Sequence, residues 1–153
     1  MDVFTKEKRS QVMSRIRSKD TRPEVHVRRL LFAEGFRFRL HAGGLPGRPD
    51  IVLRKWRTVV FVNGCFWHAH EGCPRSRIPE DNHDFWEEKL RRNRERDRRD
   101  VEALLEAGWR VLIVWECACG KRKGEALSRL MAEFIRSDEE LRVIGSEDLR
   151  ICS

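Results

Sequence analysis

Four residues able to bind a soft or borderline metal ion share one short stretch, Cys65-Phe-Trp-His68-Ala-His70-Glu-Gly-Cys73. Structural zinc takes four thiolate or imidazole ligands in a tetrahedron. Cys65, His70 and Cys73 have suitable spacing but make only three. Cys117 or Cys119, just past an apolar strand, can supply the fourth from a distance, and Cys117 is preferred because it lies nearer the strand end. The competing readings are a loop of free thiols and a catalytic cysteine. Buried thiols seldom cluster with histidine in a loop, and zinc-bound thiolates are already engaged. His68 is then left over. An imidazole titrating near neutrality is suited to activating water, although a surface histidine or a second-choice zinc ligand fits the same position. Asp50 opens a strand after the turn Leu45-Pro-Gly-Arg-Pro49. It either caps that turn or offers a carboxylate to Mg²⁺, which prefers carboxylate oxygens, water and a substrate phosphate.

These residues need elements to position them. Val12, Met13 and Ile16 share one face of a helix over about Thr5 to Arg17, otherwise filled by basic residues. Thr21-Arg-Pro-Glu24 is a capping box that opens a second helix, running to about Glu34 and stopped by Gly35. Phe36, Phe38 and Leu40 alternate with Arg37, Arg39 and His41 as a half-buried strand. Asp50 to Leu53 and Thr58 to Val62 form a hairpin. Gly64 to Pro79 is a loop. A long helix starts at Asp84, with Glu87 three residues on, and ends near Ala107 before Gly108. Its arginine run, Arg91 to Asp100, reads mostly as a solvated face with i,i+4 pairs such as Glu95–Arg99. Trp109 to Trp115 is a strand covered on both faces, followed by a helix over Gly124 to Arg136 and a short strand near Leu141 to Ile144. The order predicts an α/β mixed sheet with helices on both faces. Phe66 and Trp67 sit awkwardly for a core, in the polar loop. Trp86, in the first turn of the long helix, either packs inward or joins them. Exposed aromatics can wedge between base steps or stack on bases.

Composition narrows the partner. The 153 residues carry a formal net charge of +7 at pI ≈ 9.6. Residues 1–60 hold 15 basic and 6 acidic residues, net +9, and the remainder nets −2. Such a surface favours a polyanion. Arginine predominates among the basic residues; it suits bidentate phosphate contacts, and a GC-rich genome gives the same bias. No apolar run is long enough to span a membrane, and the polar start, MDVFTKEKRSQ, is unlike a secretory signal. Five cysteines without such a signal argue against a disulfide scaffold and for a cytoplasmic setting.

Together these stretches resemble the very-short-patch-repair (Vsr) DNA mismatch endonuclease family. The matching residues are Leu45-Pro-Gly-Arg-Pro-Asp50, Gly64-Cys-Phe-Trp-His68, Phe85-Trp86, Glu95-Arg-Asp-Arg-Arg-Asp100 and Gly108-Trp-Arg-Val-Leu-Ile-Val-Trp-Glu-Cys117. They recur in the family's order along nearly the whole chain. The resemblance implies a restriction-endonuclease-like fold of the PD-(D/E)xK type with a structural zinc loop. It implies one endonuclease domain over residues 1–153, with residues 1–20 as a basic helical arm clamping DNA. It implies a Mg²⁺-dependent nick in duplex DNA on the 5′ side of the thymine in a T·G mismatch, the product of 5-methylcytosine deamination. Asp50 would bind Mg²⁺ together with the main-chain carbonyl of Val62. His68 would be the general base or orient the water, and Glu24 would be an auxiliary carboxylate. Cys65, His70, Cys73 and Cys117 would hold Zn²⁺, and Phe66, Trp67 and Trp86 would intercalate beside the mismatch. Other repair proteins are candidate partners. A nick in one strand does not require a dimer, so a monomer is expected, acting on the bacterial nucleoid.

The chain departs from the wider fold class in having neither acid nor lysine over Thr58 to Asn63, an absence the Vsr family shares. It departs from the best-known family pattern in having Val62 and Asn63 where a Thr and a His precede the glycine. Ala69 and Glu71-Gly72 also replace a His-rich run. Two readings of other classes remain: a zinc-stabilised DNA-binding module without catalysis, which needs neither Asp50 nor His68, and a thiol-based redox enzyme, which needs a free low-pKa cysteine.

Overall fold

In the computed structural model, the described residues are 20–152 apart from Lys121, with the side chains of residues 150–152 left aside. The expected helix over Thr5 to Arg17 and the basic arm lie outside them. The elements are α1 (Arg22–Ala33), β1 (Arg39–Leu40), β2 (Ile51–Leu53), β3 (Thr58–Asn63), α2 (His83–Glu106), β4 (Arg110–Trp115), α3 (Gly124–Arg136) and β5 (Leu141–Ile144). The five strands form one sheet in the order β1-β2-β3-β4-β5. The pairs β1–β2 and β2–β3 are antiparallel, while β3–β4 and β4–β5 are parallel. The sheet is therefore mixed, as expected.

Side chains alternate across the sheet because successive residues of a strand face opposite ways. Ile51, Leu53, Val60, Val62, Leu112 and Val114 meet Val27 and Leu31 of α1 and Leu127, Met131 and Phe134 of α3. Val52, Val59 and Val111 meet Leu104 of α2 on the other face. Each such fully buried aliphatic side chain contributes roughly 1.5–3 kcal/mol. The long apolar strand β4 is sandwiched between these two layers.

Local chemistry sets the ends of the helices. The Glu24 amide donates to Thr21 Oγ1 at 3.4 Å. The Glu24 carboxylate reaches back to the Asp20 amide at 2.9 Å, one residue before the expected partner. At the other end Gly35 takes φ +95°, its N–H bonds Phe32 O, and Phe36 N–H bonds Leu31 O. That is a Schellman closure, which a glycine makes without strain.

Three expectations are corrected. The strand over Phe36 to Leu40 shrinks to Arg39–Leu40, with both residues exposed. Phe36 leaves the strand and joins the core, packing edge-on against Trp56 with centroids 5.6 Å apart, so its burial does not come from a pleat. The long helix starts at His83 after Asn82, without a side-chain cap from Asp84. Glu95 pairs with Arg91 at 2.6 Å, four residues before it, instead of with Arg99.

Candidate functional site

The strand directions bring distant residues to one end of the sheet. β2 runs against β3, so Asp50, just before β2, lies beside the last residues of β3. The Val62 N–H donates to Asp50 Oδ2 at 2.7 Å. This bond is made by the Val62 amide; the expected role of the Val62 carbonyl, toward Mg²⁺, is a separate one. The first turn of α1 brings Glu24, 3% exposed, to the same place. Burial, reinforced by the neighbouring Glu24 charge, raises Asp50 to about 7, against the Val62 hydrogen bond and His68, which pull it down. Two carboxylates crowded out of water are a site that favours a cation. Glu24 Oε2 is held by Arg28 Nη2 at 3.3 Å and lies 3.5 Å from His41 Nε2.

His68 enters from the loop after β3, and its Nδ1 lies 2.5 Å from Asp97 Oδ2 on α2. A carboxylate on one ring nitrogen fixes the ring and leaves the other nitrogen for chemistry. Asp97 was not among the sequence candidates. The signal lies in helical spacing: Asn93, Asp97 and Asp100 fall on one stripe of α2, hidden within a run dominated by exposed arginines. Asn93 Nδ2 donates to the Trp67 carbonyl at 3.0 Å, tying the loop to the helix. Glu24, Asp50, Val62, Asn63, His68, Asp97 and Asp100 border one open cleft of about 1390 Å³.

The same loop builds a second cluster. Ala69 takes φ +51°, a left-handed turn of the backbone between the two histidines. His68 goes to Asp97 and His70 goes to the thiols. One ligand atom each from Cys65, His70, Cys73 and Cys117 lies within 4.8 Å of the others. Cys117 Sγ is 3.6 Å from His70 Nδ1. Zinc bonds of about 2.3 Å to sulfur and about 2.0–2.1 Å to nitrogen at tetrahedral angles require nearly that separation, so the donor set fits the ion. Burial, together with the neighbouring Cys117 and Cys73 thiols, pushes Cys65 up to about 12, so ionising it in place needs a nearby cation. Burial lowers the pKa of His70, which stacks on Trp115 with ring centroids 4.1 Å apart. A neutral ring is the form that ligates metal. Cys117 joins this cluster; Cys119 stands outside it.

Phe66, Trp67 and Trp86 meet edge to face, with centroids 5.2–5.9 Å apart. Phe85, 59% exposed, extends the group against Trp86. The alternative of Trp86 packed into the core is not what forms: it is half-buried, among these rings. Lys89 Nζ lies 5.7–5.8 Å from the two indoles.

Comparisons with known proteins fall in one class, enzymes that cut or nick DNA. The family model for DNA mismatch endonuclease Vsr matches residues 1–75. DNA mismatch endonuclease Vsr of Escherichia coli strain K12 is 47% identical over 153 residues, covering 98% of this chain and 97% of that protein. Type II nicking enzyme V.NmeAIP of Neisseria meningitidis serogroup A is 49% identical over 136 residues, covering 87% and 96%. Type II nicking enzyme V.XorIIP of Xanthomonas oryzae pv. oryzae is 50% identical over 116 residues, covering 76% and 85%. The chain belongs to the Vsr family of DNA mismatch endonucleases.

Proposed function

We propose that this protein nicks duplex DNA on the 5′ side of the thymine in T·G mismatches, within very short patch repair. The observation that carries the reading is the joint presence, around one cleft, of the Asp50–Glu24 carboxylate pair and the His68–Asp97 couple, with an aromatic group on the same loop. The relatives, a mismatch endonuclease and two nicking enzymes, agree with it. The sheet is read as a variant of the PD-(D/E)xK nuclease architecture. In that variant Glu24, from a helix, stands in for the acid that strand β3 lacks.

In this reading Asp50 and the Val62 main chain would hold Mg²⁺, with Glu24 as an auxiliary carboxylate beside them. Bound there, the ion would supply Lewis-acid stabilisation of charge on the phosphate. His68 takes the proton of the attacking water on its free ring nitrogen. Asp97 holds the ring in orientation and stabilises the imidazolium that results. Cys65, His70, Cys73 and Cys117 hold a structural Zn²⁺, which fixes the loop that carries His68. Phe66, Trp67 and Trp86 insert beside the mismatch, and residues 1–20 add a basic arm to the single domain.

The test is cleavage mapping on matched and T·G duplexes with Mg²⁺, for wild type, Asp50→Ala and His68→Ala. A nick mapped 5′ of the mismatched thymine and lost in both variants is expected. If Asp50→Ala cuts as well as wild type, the site assignment fails. Duplex binding without cleavage at any divalent metal would instead leave a DNA-binding module.

A further inference from the structure

We infer that Arg48 grips a backbone phosphate beside the scissile bond and so positions the strand to be cut against Asp50. This rests on the endonuclease reading above and adds a residue to it. The turn Leu45-Pro46-Gly47-Arg48 is closed by the Arg48 N–H on Leu45 O at 3.2 Å. Proline second and glycine third at φ +74° are the pattern of a type II turn. Arg48 itself takes φ +47°. That region is uncommon for a residue with a side chain, and the following Pro49 disfavours helical-type backbone in the residue before it. Such a conformation persists only where surrounding contacts enforce it, and it concentrates at functional positions. One enforcing contact is visible: a Cβ on Gly47 would lie 2.9 Å from Asp100 Cβ, so the turn is seated directly on α2.

The arginine held this way is exposed and borders the cleft with Asp50, Asp97 and Asp100. Its guanidinium forms no hydrogen bond or ion pair among the described residues. Other guanidiniums near this cleft are engaged: Arg96 bonds Asn93 Oδ1 at 3.3 Å, and Arg28 bonds Asp20 and Glu24. Glu24, Asp50, Asp97, Asp100 and Glu116 give the cleft a lining of acids. A polyanion entering it meets repulsion that an uncommitted cation next to Asp50 offsets. Two residues of chain span at most about 7 Å, so the guanidinium is within reach of phosphates next to Asp50. A planar guanidinium can hold two phosphate oxygens at once, which a lysine cannot.

Arg48→Gly separates the guanidinium from the backbone it sits on, because glycine adopts positive φ without penalty. Its Tm should equal or exceed that of wild type, while kcat/KM on a T·G duplex falls about 10- to 100-fold, the usual cost of one charged contact. Arg48→Lys should recover part of the loss. Replacing the phosphates around the nick one at a time with uncharged methylphosphonates should slow wild type at one position where Arg48→Gly shows no further loss. Three results overturn the assignment while wild type still nicks: Arg48→Gly cutting at the wild-type rate, its loss arriving with a lowered Tm, or equal sensitivity of both proteins at every phosphate. Wild type failing to nick the T·G duplex overturns the endonuclease reading, and this assignment falls with it.

Discussion

The loop after β3 feeds two neighbouring clusters that ask opposite things of their surroundings. The Cys65–His70–Cys73–Cys117 group is closed and soft, with sulfur donors inside a protein shell. The Asp50–Glu24 group is hard and opens onto a large cleft, where water and a substrate can enter. Closed tetrahedral sets suit structure, and open sites suit chemistry. Ala69, in its left-handed turn, is the point where one segment divides between them. On the proposed reading, the closed cluster would fix the loop and the open one would use what the loop carries.

The two sites should therefore fail in different ways. The largest expected effect is on the open site. Asp50→Asn should lower nicking by at least about 10³-fold, the scale of losing a metal-held electrostatic centre, with the fold intact. The same residue predicts a pH dependence of stability. Burial raises its carboxyl to about 7, above the ordinary 3.8, so the folded state retains a proton that the unfolded chain releases between those values. Stability should fall as pH rises from about 4 to about 7, by up to roughly 4 kcal/mol. Urea melts in chelator at pH 5 and pH 7 should show this for wild type and a flatter response for Asp50→Asn. Identical slopes would remove Asp50 as the cause.

The closed site should lose stability first. Cys117→Ser should lower Tm and stability by several kcal/mol and abolish the one zinc per chain that elemental analysis is expected to find. Cys119→Ser should leave the zinc in place. A full zinc complement in Cys117→Ser would break the division drawn above.

Smaller effects sharpen the open site. His68→Ala should cost about 10²- to 10⁴-fold in kcat, and Asp97→Asn less, with a changed pH–rate profile, because it acts through the ring. If Asp97→Asn kept the wild-type profile, the couple would be structural. Trp86→Ala should reduce the preference for T·G over T·A duplex by about tenfold, in line with the loss of one stacking contact. Unchanged preference would take Trp86 out of the wedge. Smallest of all, Arg91→Ala on the outer face of α2 should leave both Tm and nicking rate at wild-type values, since exposed ion pairs contribute little.

Much of this division was legible in the chain. The His and Cys spacing singled out three members of the closed cluster, and the position of Cys117 at a strand end singled out the fourth. The α1 cap, the β2–β3 hairpin and α3 follow from local patterns that do not depend on distant partners. Asp97 was not legible because its neighbours are mostly exposed arginines, and only packing tells which stripe of α2 faces inward. Strand β1 was overestimated because Phe36 buries its ring in the core beside Trp56, packing that periodicity does not encode.

What the sequence determined by itself is the inventory: a basic first half, donors of two chemical kinds, a pair of apolar helix faces and a doubly covered strand. These are consequences of side-chain chemistry and short-range backbone preference. What only the tertiary structure decided is pairing across distance. It set Val62 against Asp50, Asp97 against His68, Trp86 among the loop aromatics, and Gly47 on Asp100. Those partners are separated by 12 to 53 positions along the chain, and they meet because an antiparallel β2, a parallel β4 and a single crossing helix deliver them to the same end of one sheet.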